Sequence, residues 1–290
     1  MSSRSDSEVN RLLEQAPLGH RTDTPDRYDA SLLFPIPRAQ ARLEMGLKEP
    51  LPFMGADVWT AYEVSWLNPK GKPQVAIAQL TIPCESPMLI ESKSMKLYFN
   101  SFNNTEFVSS AEVVSTLKRD LSQACWRGAS SVGSVGVKLV EPDAFETQKI
   151  ARLPGLSLDR LDIDARGATA DPMQLRWADD ETVVEEVLTT ELLRSLCRIT
   201  AQPDWGALQI AYTGRAIDQE ALLRYLVGYR NHQEFHEPLV EKVFRDIWET
   251  LKPVKLSVYA RYTRRGGLDI NPFRSSHPAM VPLQVRTATQ

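Results

Sequence analysis

Twice along this chain two alternating segments are followed by helical spacing and then by further alternation, and that repeated order restricts the fold more than any single residue does. In the first pass Thr60, Tyr62, Val64 and Trp66 alternate against Trp59, Ala61, Glu63 and Ser65, the turn Asn68-Pro69-Lys70-Gly71 follows, and Val75 to Ile82 alternates again. Period-two alternation places one set of side chains on a single face, and two such runs around a Pro/Gly turn predict a hairpin. Glu91 to Asn104 is a dense polar and aromatic block. Ser109-Ser110-Ala111-Glu112 reads as a capping box, after which Val113, Val114, Leu117, Leu121 and Cys125 recur at helical spacing and put Cys125 in the core. Val135, Val137 and Leu139 alternate as another strand beyond a Gly/Ser loop.

The second pass has the same layout. A segment from Val183 through Leu193 precedes Cys197, and Leu208, Ile210 and Tyr212 then alternate with Gln209, Ala211 and Thr213. Asp218 caps a helix carrying Ala221, Leu222, Tyr225, Leu226 and Tyr229. A second helix from about His236 carries Leu239, Val240, Val243, Phe244, Ile247, Trp248 and Leu251 on one face until Pro253 stops it. Leu256, Val258, Ala260 and Tyr262 alternate next, and Asp269 to Phe273 reads as a short last strand. The expectation is an α+β protein of two similar modules, alike in layout rather than in letters. Its parts are a Pro-rich N-terminal arm over residues 1–50 with a short first helix, a first module over 51–142, a connection over 143–180, and a second module over 181–290. The connection lacks any period but is long for a free linker, so part of it packs.

A length of 290 residues suits two domains, and a net charge of -3 offers no basic field for a sequence-independent grip on nucleic acid. The expected partner is a small molecule. Cys84, Cys125 and Cys197 are odd in number, far apart and free of any C-x-x-C, which points to a reducing compartment. Met1 to Leu18 is polar and lacks a signal-peptide core, and no apolar run approaches a membrane span, so the reading is a cytoplasmic protein without a membrane partner.

The chemistry concentrates in Cys197-Arg198-Ile199-Thr200-Ala201-Gln202-Pro203-Asp204. A thiol and a carboxylate across a Pro-containing turn offer a nucleophile for an electrophilic carbon and an acid for the atom that gains electrons. A buried apolar cysteine beside a common Pro-Asp turn is the plainer alternative. Arg198, if close to the thiol, favours thiolate. No Gly-x-Gly-x-x-Gly follows a first strand, so a Rossmann cofactor site is not supported.

Four motifs in order carry a family resemblance: Glu91-Ser92-Lys93-Ser94-Met95-Lys96-Leu97-Tyr98, the stretch Cys197 to Gly206, Phe235-His236-Glu237, and Arg264-Arg265-Gly266-Gly267-Leu268-Asp269-Ile270-Asn271-Pro272. Together they resemble the NADPH-dependent 7-cyano-7-deazaguanine reductases, the nitrile reductases of queuosine biosynthesis, in their longer two-module form. The resemblance implies tandem tunnelling-fold modules, each a four-stranded antiparallel sheet backed by two antiparallel helices, associating edge to edge. It implies reduction of a nitrile to a primary amine through a Cys197 thioimide, with Asp204 handling protons and two NADPH consumed per substrate. Ile90, Glu91, Ser92, Phe235, His236 and Glu237 are the implied substrate contacts. Ser92, Lys93, Arg265 and Gly266 are the implied NADPH contacts. Without the resemblance, His236-Glu237 reads as the acidic first turn of a helix, Glu91-Ser92-Lys93 as a solvated turn and Arg264-Arg265-Gly266 as a basic hairpin end. Edge strands that need partners point to a homodimer. Two rivals stand beside this reading: a zinc-using cyclohydrolase of pterin type, and a non-catalytic purine-binding protein. Histidines only at His20, His232, His236 and His277, with no second cysteine near Cys197, argue against zinc, so no metal is expected.

Overall fold

The computed structural model describes residues 11, 13–20, 22–179, 181–280 and 285–290. The polar start at residues 1–10, read above as lacking a signal-peptide core, lies outside the described residues. Backbone proximity divides the chain into two compact units: the described residues up to 46 with 57–147 and 264–269, and residues 47–56 with 148–263 and 270–290.

In the first unit the predicted hairpin joins β2 (Met54–Leu67, from Asp57 onward here) to β3 (Pro73–Pro83). Asn68 shapes the turn, its side chain accepting from the N–H groups of Lys70 at 2.9 Å and Lys72 at 3.0 Å. β5 (Gly136–Val140) pairs antiparallel with β3, from Ile77 opposite Val140 to Thr81 opposite Gly136. Two helices follow β3, α2 (Ser92–Asn100) and α3 (Ser110–Cys125). The capping box forms with a shift: Ser109 accepts from the Glu112 N–H at 3.3 Å, while Glu112 reaches back to the Val108 N–H at 2.8 Å, one residue before the cap. Val113, Leu117, Leu121 and Cys125 are fully buried on one face.

The N-terminal arm is more ordered than its prolines promise. β1 (Pro35–Pro37) pairs with β4 (Met88–Ile90) as a separate two-stranded sheet, and α1 (Arg38–Glu44) follows. Arg38 buries its guanidinium against Asp57 at 2.5 Å, and Tyr28 packs edge-on against Phe102 with ring centroids 5.4 Å apart. These contacts, rather than propensity, fix residues 28–44 on the unit.

The second unit centres on β7 (Val183–Leu196), β8 (Pro203–Arg215), β9 (Lys255–Tyr262) and β10 (Leu268–Ser275, from Ile270 onward here), neighbours in that order and antiparallel. A two-residue strand, β6 (Leu156–Ser157), pairs parallel with β7 at Leu156–Leu188. The sheets are therefore mixed, which corrects the expectation of purely antiparallel four-stranded modules. A parallel neighbour needs a long return, and the aperiodic stretch between Ser157 and Val183 provides it. Asp218 caps α4 (Gln219–Val227), accepting from the Ala221 N–H at 3.0 Å, and Tyr229 falls in the 3₁₀ turn that follows instead of in the helix. α5 (His236–Leu251) packs Leu239, Val240, Val243, Phe244 and Ile247 inward and ends at Lys252 in the left-handed region, φ 50°.

Candidate active site

Cys197 is the first residue after β7, and Asp204 is the second residue of β8. Their strands are in register at Ser195–Asp204 and Leu196–Pro203, so the pair sits at the two feet of one tight loop. The Cys197 N–H donates to the Gln202 carbonyl at 2.8 Å and its carbonyl accepts from Ala201 at 3.0 Å. Ala201 takes φ 53°, a left-handed conformation that costs a non-glycine residue on the order of 1 kcal/mol. The loop is thus held in a strained shape next to the thiol. Cys197 is 6% exposed and Asp204 4%.

A second segment is stitched across this loop. The Leu196 N–H donates to the His232 carbonyl at 2.8 Å, Glu234 N–H returns to the Leu196 carbonyl at 3.0 Å, and Gln233 Nε2 reaches the Arg198 carbonyl at 3.0 Å. That docking delivers the start of α5, with Phe235 at the cap position, His236 first in the helix and Glu237 buried in its first turn. His236 Nε2 lies 3.4 Å from Asp204 Oδ2. Arg198 points its charge at Glu234, with Nη1 at 3.0 and 3.1 Å from the two carboxylate oxygens. Cys197, Asp204, Phe235, His236 and Glu237 therefore belong to one local assembly.

Two buried polar atoms of this assembly, Thr200 Oγ1 and His236 Nδ1, have no protein hydrogen-bond partner, while the Ser195 hydroxyl faces the Tyr262 phenol. Buried polar groups are ordinarily satisfied, so two such atoms beside the thiol loop stand out. Burial raises the Tyr262 phenol well above its ordinary range, and the carboxylates of Asp204 and Glu237 push the same way. The phenol stays neutral. Sequence reasoning missed Tyr262, which read as an ordinary alternating strand residue, and Ser195, which lies just beyond the segment read as ending at Leu193.

The other predicted residues lie in the first unit. Ile90 ends β4 and Glu91 caps α2. Glu91 is 1% exposed, which rules out a solvated turn, and its oxygens accept from the N–H groups of Lys93 at 2.6 Å and Ser94 at 2.8 Å. Burial raises its pKa from the ordinary 4.5 against the pull of those two bonds. Ser92 and Lys93 form the first turn of α2, where Lys93 Nζ donates to the His20 carbonyl. Arg265 and Leu268 exchange both backbone bonds, at 2.9 and 3.1 Å, around Gly266 (φ 59°) and Gly267 (φ 79°). Two consecutive positive φ values make the tight hairpin turn that glycine allows. Lys96, one turn beyond Ser92 and Lys93, donates to the Gly266 carbonyl and to Glu63 Oε2, both at 2.6 Å, bringing α2 and the hairpin together. Arg264 lies over the Tyr62 ring at 5.0 Å. Lys96 was absent from the predicted site, though its helical spacing from Lys93 signals it.

Among the described residues no group of three or more His, Cys, Asp or Glu side chains is placed to hold a metal ion, and no helix is long and apolar enough to cross a membrane. The family model described as nitrile reductase, 7-cyano-7-deazaguanine-reductase N-term, matches residues 24–132, and the model described as QueF-like protein matches residues 203–280. Three relatives are named NADPH-dependent 7-cyano-7-deazaguanine reductase. They come from Polaromonas naphthalenivorans strain CJ2 (57% identical), Acidovorax ebreus strain TPSY (56%) and Paracidovorax citrulli strain AAC00-1 (55%), each aligned over 277 residues that cover 96% of this chain and 99% of the relative. This chain belongs to the 7-cyano-7-deazaguanine reductase family.

For a 7-cyano-7-deazaguanine reductase the donor set of the first unit is apt. Lys93, Lys96, Arg264 and Arg265 place cations on the two elements that Lys96 joins, beside the exposed Gly266, a set whose chemistry would suit the phosphates of NADPH. Cys197, Asp204 and His236 occupy the second unit.

Proposed function

We infer that this chain reduces the nitrile of 7-cyano-7-deazaguanine to the primary amine with NADPH as reductant, a step of queuosine biosynthesis. Membership of the family supports the reaction, and the observation that carries the mechanism is Cys197 on one loop with Asp204, whose carboxylate faces His236 at 3.4 Å. The thiol adds across the carbon–nitrogen triple bond: sulfur bonds to carbon, and the proton passes by way of Asp204 to nitrogen, giving a thioimide. NADPH, when bound, supplies hydride to that carbon once per molecule, and two are needed. After the first reduction the carbon–sulfur bond breaks, the thiolate leaves, and an imine remains for the second. His236, in reach of Asp204, can return a proton to the carboxylate between steps. Burial of Cys197 keeps water from both reactive intermediates.

Glu237 is assigned to the ring N–H and exocyclic amine of the deazaguanine, because an acceptor placed there rejects bases lacking those donors. Glu91 is the second anchor, beside Ile90 and Ser92, and Phe235 stacks on the heterocycle. Ser92, Lys93, Arg265 and Gly266 are assigned to NADPH, and Lys96 joins them. We read the two units as tunnelling-fold modules and the protein as a homodimer. A long hairpin followed by two helices in each unit supports the first reading, and strand edges that need partners support the second.

Intact-protein mass spectrometry tests the reaction. Mixed with 7-cyano-7-deazaguanine alone, the protein should gain the mass of one substrate, lose it on addition of NADPH, and gain nothing in the Cys197→Ala variant. A folded protein that forms no adduct in excess nitrile would leave a purine-binding role in its place.

A further inference from the structure

His236 is the first residue of α5, behind the cap residue Phe235, which makes no side-chain hydrogen bond to the helix. A proton-carrying imidazole is ordinarily oriented through its idle nitrogen, bonded to a carboxylate or a carbonyl. Here that nitrogen, Nδ1, is buried and has no protein partner, while Nε2 faces Asp204. The ring lies instead flat against Tyr262, centroids 3.7 Å apart and planes 6° from parallel. Tyr262 is itself firmly held. It is fully buried, its N–H donates to Asn271 Oδ1 at 3.0 Å, and its carbonyl accepts from Gln290 Nε2 at 3.0 Å. Opposite it in β8 stands Gly206, where a Cβ would come within 3.2 and 3.3 Å of two Tyr262 ring atoms. A Cβ at that position is tight enough that the Tyr262 ring must shift to admit it.

We propose that Tyr262 is a positioning residue for the proton-transfer pair: its ring clamps the His236 imidazole in the orientation that keeps Nε2 on Asp204, the part a second hydrogen bond plays elsewhere. The kinetic consequence rests on the nitrile-reductase reading; the clamp does not. Because the phenol stays neutral, the clamp adds no charge beside the carboxylates. The hydroxyl is dispensable for stacking, and the ring is not.

The test uses the full-length protein with ring-labelled histidine, whose four residues give four resolvable signals. The His236 signal, assigned by its loss in His236→Ala, should be displaced upfield by the Tyr262 ring current in wild type and in Tyr262→Phe, and should return in Tyr262→Leu. Turnover is measured per Cys197 site able to form the nitrile adduct. Tyr262→Phe should stay within about threefold of wild type, while Tyr262→Leu should lose kcat on the order of 10²-fold at little-changed KM, as expected of a misplaced catalytic group. In the double variant with His236→Ala, Tyr262→Leu should add no further loss, whereas a purely structural tyrosine would multiply the two. Should Tyr262→Leu fail to fold, Gly206→Ala moves the same ring without removing it, and must shift the His236 signal and lower kcat. An undisplaced His236 signal in wild type, full turnover without the ring, or multiplied losses would each overturn the proposal. If wild type reduces no nitrile, the functional reading falls and the spectrum alone still decides whether the clamp exists.

Discussion

Tyr98 and Tyr225 hold the same place in two copies of one helix pair. Tyr98 on α2 donates to Asp120 of α3, and Tyr225 on α4 donates to Asp246 of α5, both at 2.7 Å. In each case an arginine precedes the aspartate and its Nε donates to it at 2.9 Å. The likeness extends to the hairpins. Leu67 bonds to Thr105 and Phe107 as Leu196 bonds to His232 and Glu234, and the Asn68 N–H reaches the carbonyl before Pro73 as the Cys197 N–H reaches the carbonyl before Pro203. One hydrogen-bond pattern recurs in both units, with Asn68 in the first where the second has its thiol.

Each aspartate anchors its unit. Asp246 is buried and accepts from Tyr225, from Lys242 at 2.8 Å and from Arg245. Asp246→Ala should cost about 3–5 kcal/mol in urea unfolding, because it strips a buried charge cluster of its acceptor, and Asp246→Asn should cost less because one acceptor oxygen survives. Unchanged midpoints for both would show the cluster to be energetically idle.

Only one thiol per chain should take the nitrile or a brief alkylating pulse. Burial pushes the Cys125 thiol up to about 12, which leaves roughly one part in ten thousand as thiolate near pH 8. Cys84 is buried as well. Peptide mapping should find label at Cys197 first and the adduct should saturate at one per chain; early label at Cys125 would contradict this.

The elements were legible where an apolar period or a cap announced them, as in the β2–β3 hairpin, α3 behind Ser109, α4 behind Asp218 and α5 up to Pro253. What escaped were polar residues buried in pairs. Periodicity put Tyr225 on its apolar stripe but passes over the acceptors Asp120 and Asp246, so the pairing stayed hidden and the likeness of the two halves showed in layout alone. Tyr262 and His236 are 26 residues apart, and only the return of β9 beside β8 puts one ring on the other. The parallel β6 carries too few residues to show any period. Motifs on the loops, by contrast, named Cys197, Asp204 and the start of α5 together, since loop chemistry is local in sequence.

The hairpin at Arg265 should be sensitive to small changes. At Gly267 (φ 79°) a Cβ would fall 2.5 Å from the Glu63 carboxyl carbon, the partner of Lys96. Gly267→Ala should cost about 1–2 kcal/mol through left-handed strain, and by displacing Lys96 it should raise KM for NADPH more than it lowers kcat. Lys96→Ala should raise the same KM without the loss of stability. Steady-state kinetics at varied NADPH separate the two, and an unaltered KM in both would remove this hairpin from the cofactor site.

Glu91 should give the protein a pH dependence of definite sign. Its pKa is raised from 4.5 because burial outweighs the N–H bonds of Lys93 and Ser94. The folded protein therefore keeps a proton that the unfolded chain has released, and stability falls as pH rises from 4.5 to the raised value, with no contribution to slope below or above that window. Glu91→Gln cannot titrate, while its amide oxygen can still accept one capping N–H. Its stability should decline less steeply than that of wild type across the window in urea unfolding at a series of pH values. A variant with the wild-type slope would mean that Glu91 is ionised throughout, its two backbone N–H bonds outweighing burial, and that the cap is a carboxylate before any substrate arrives.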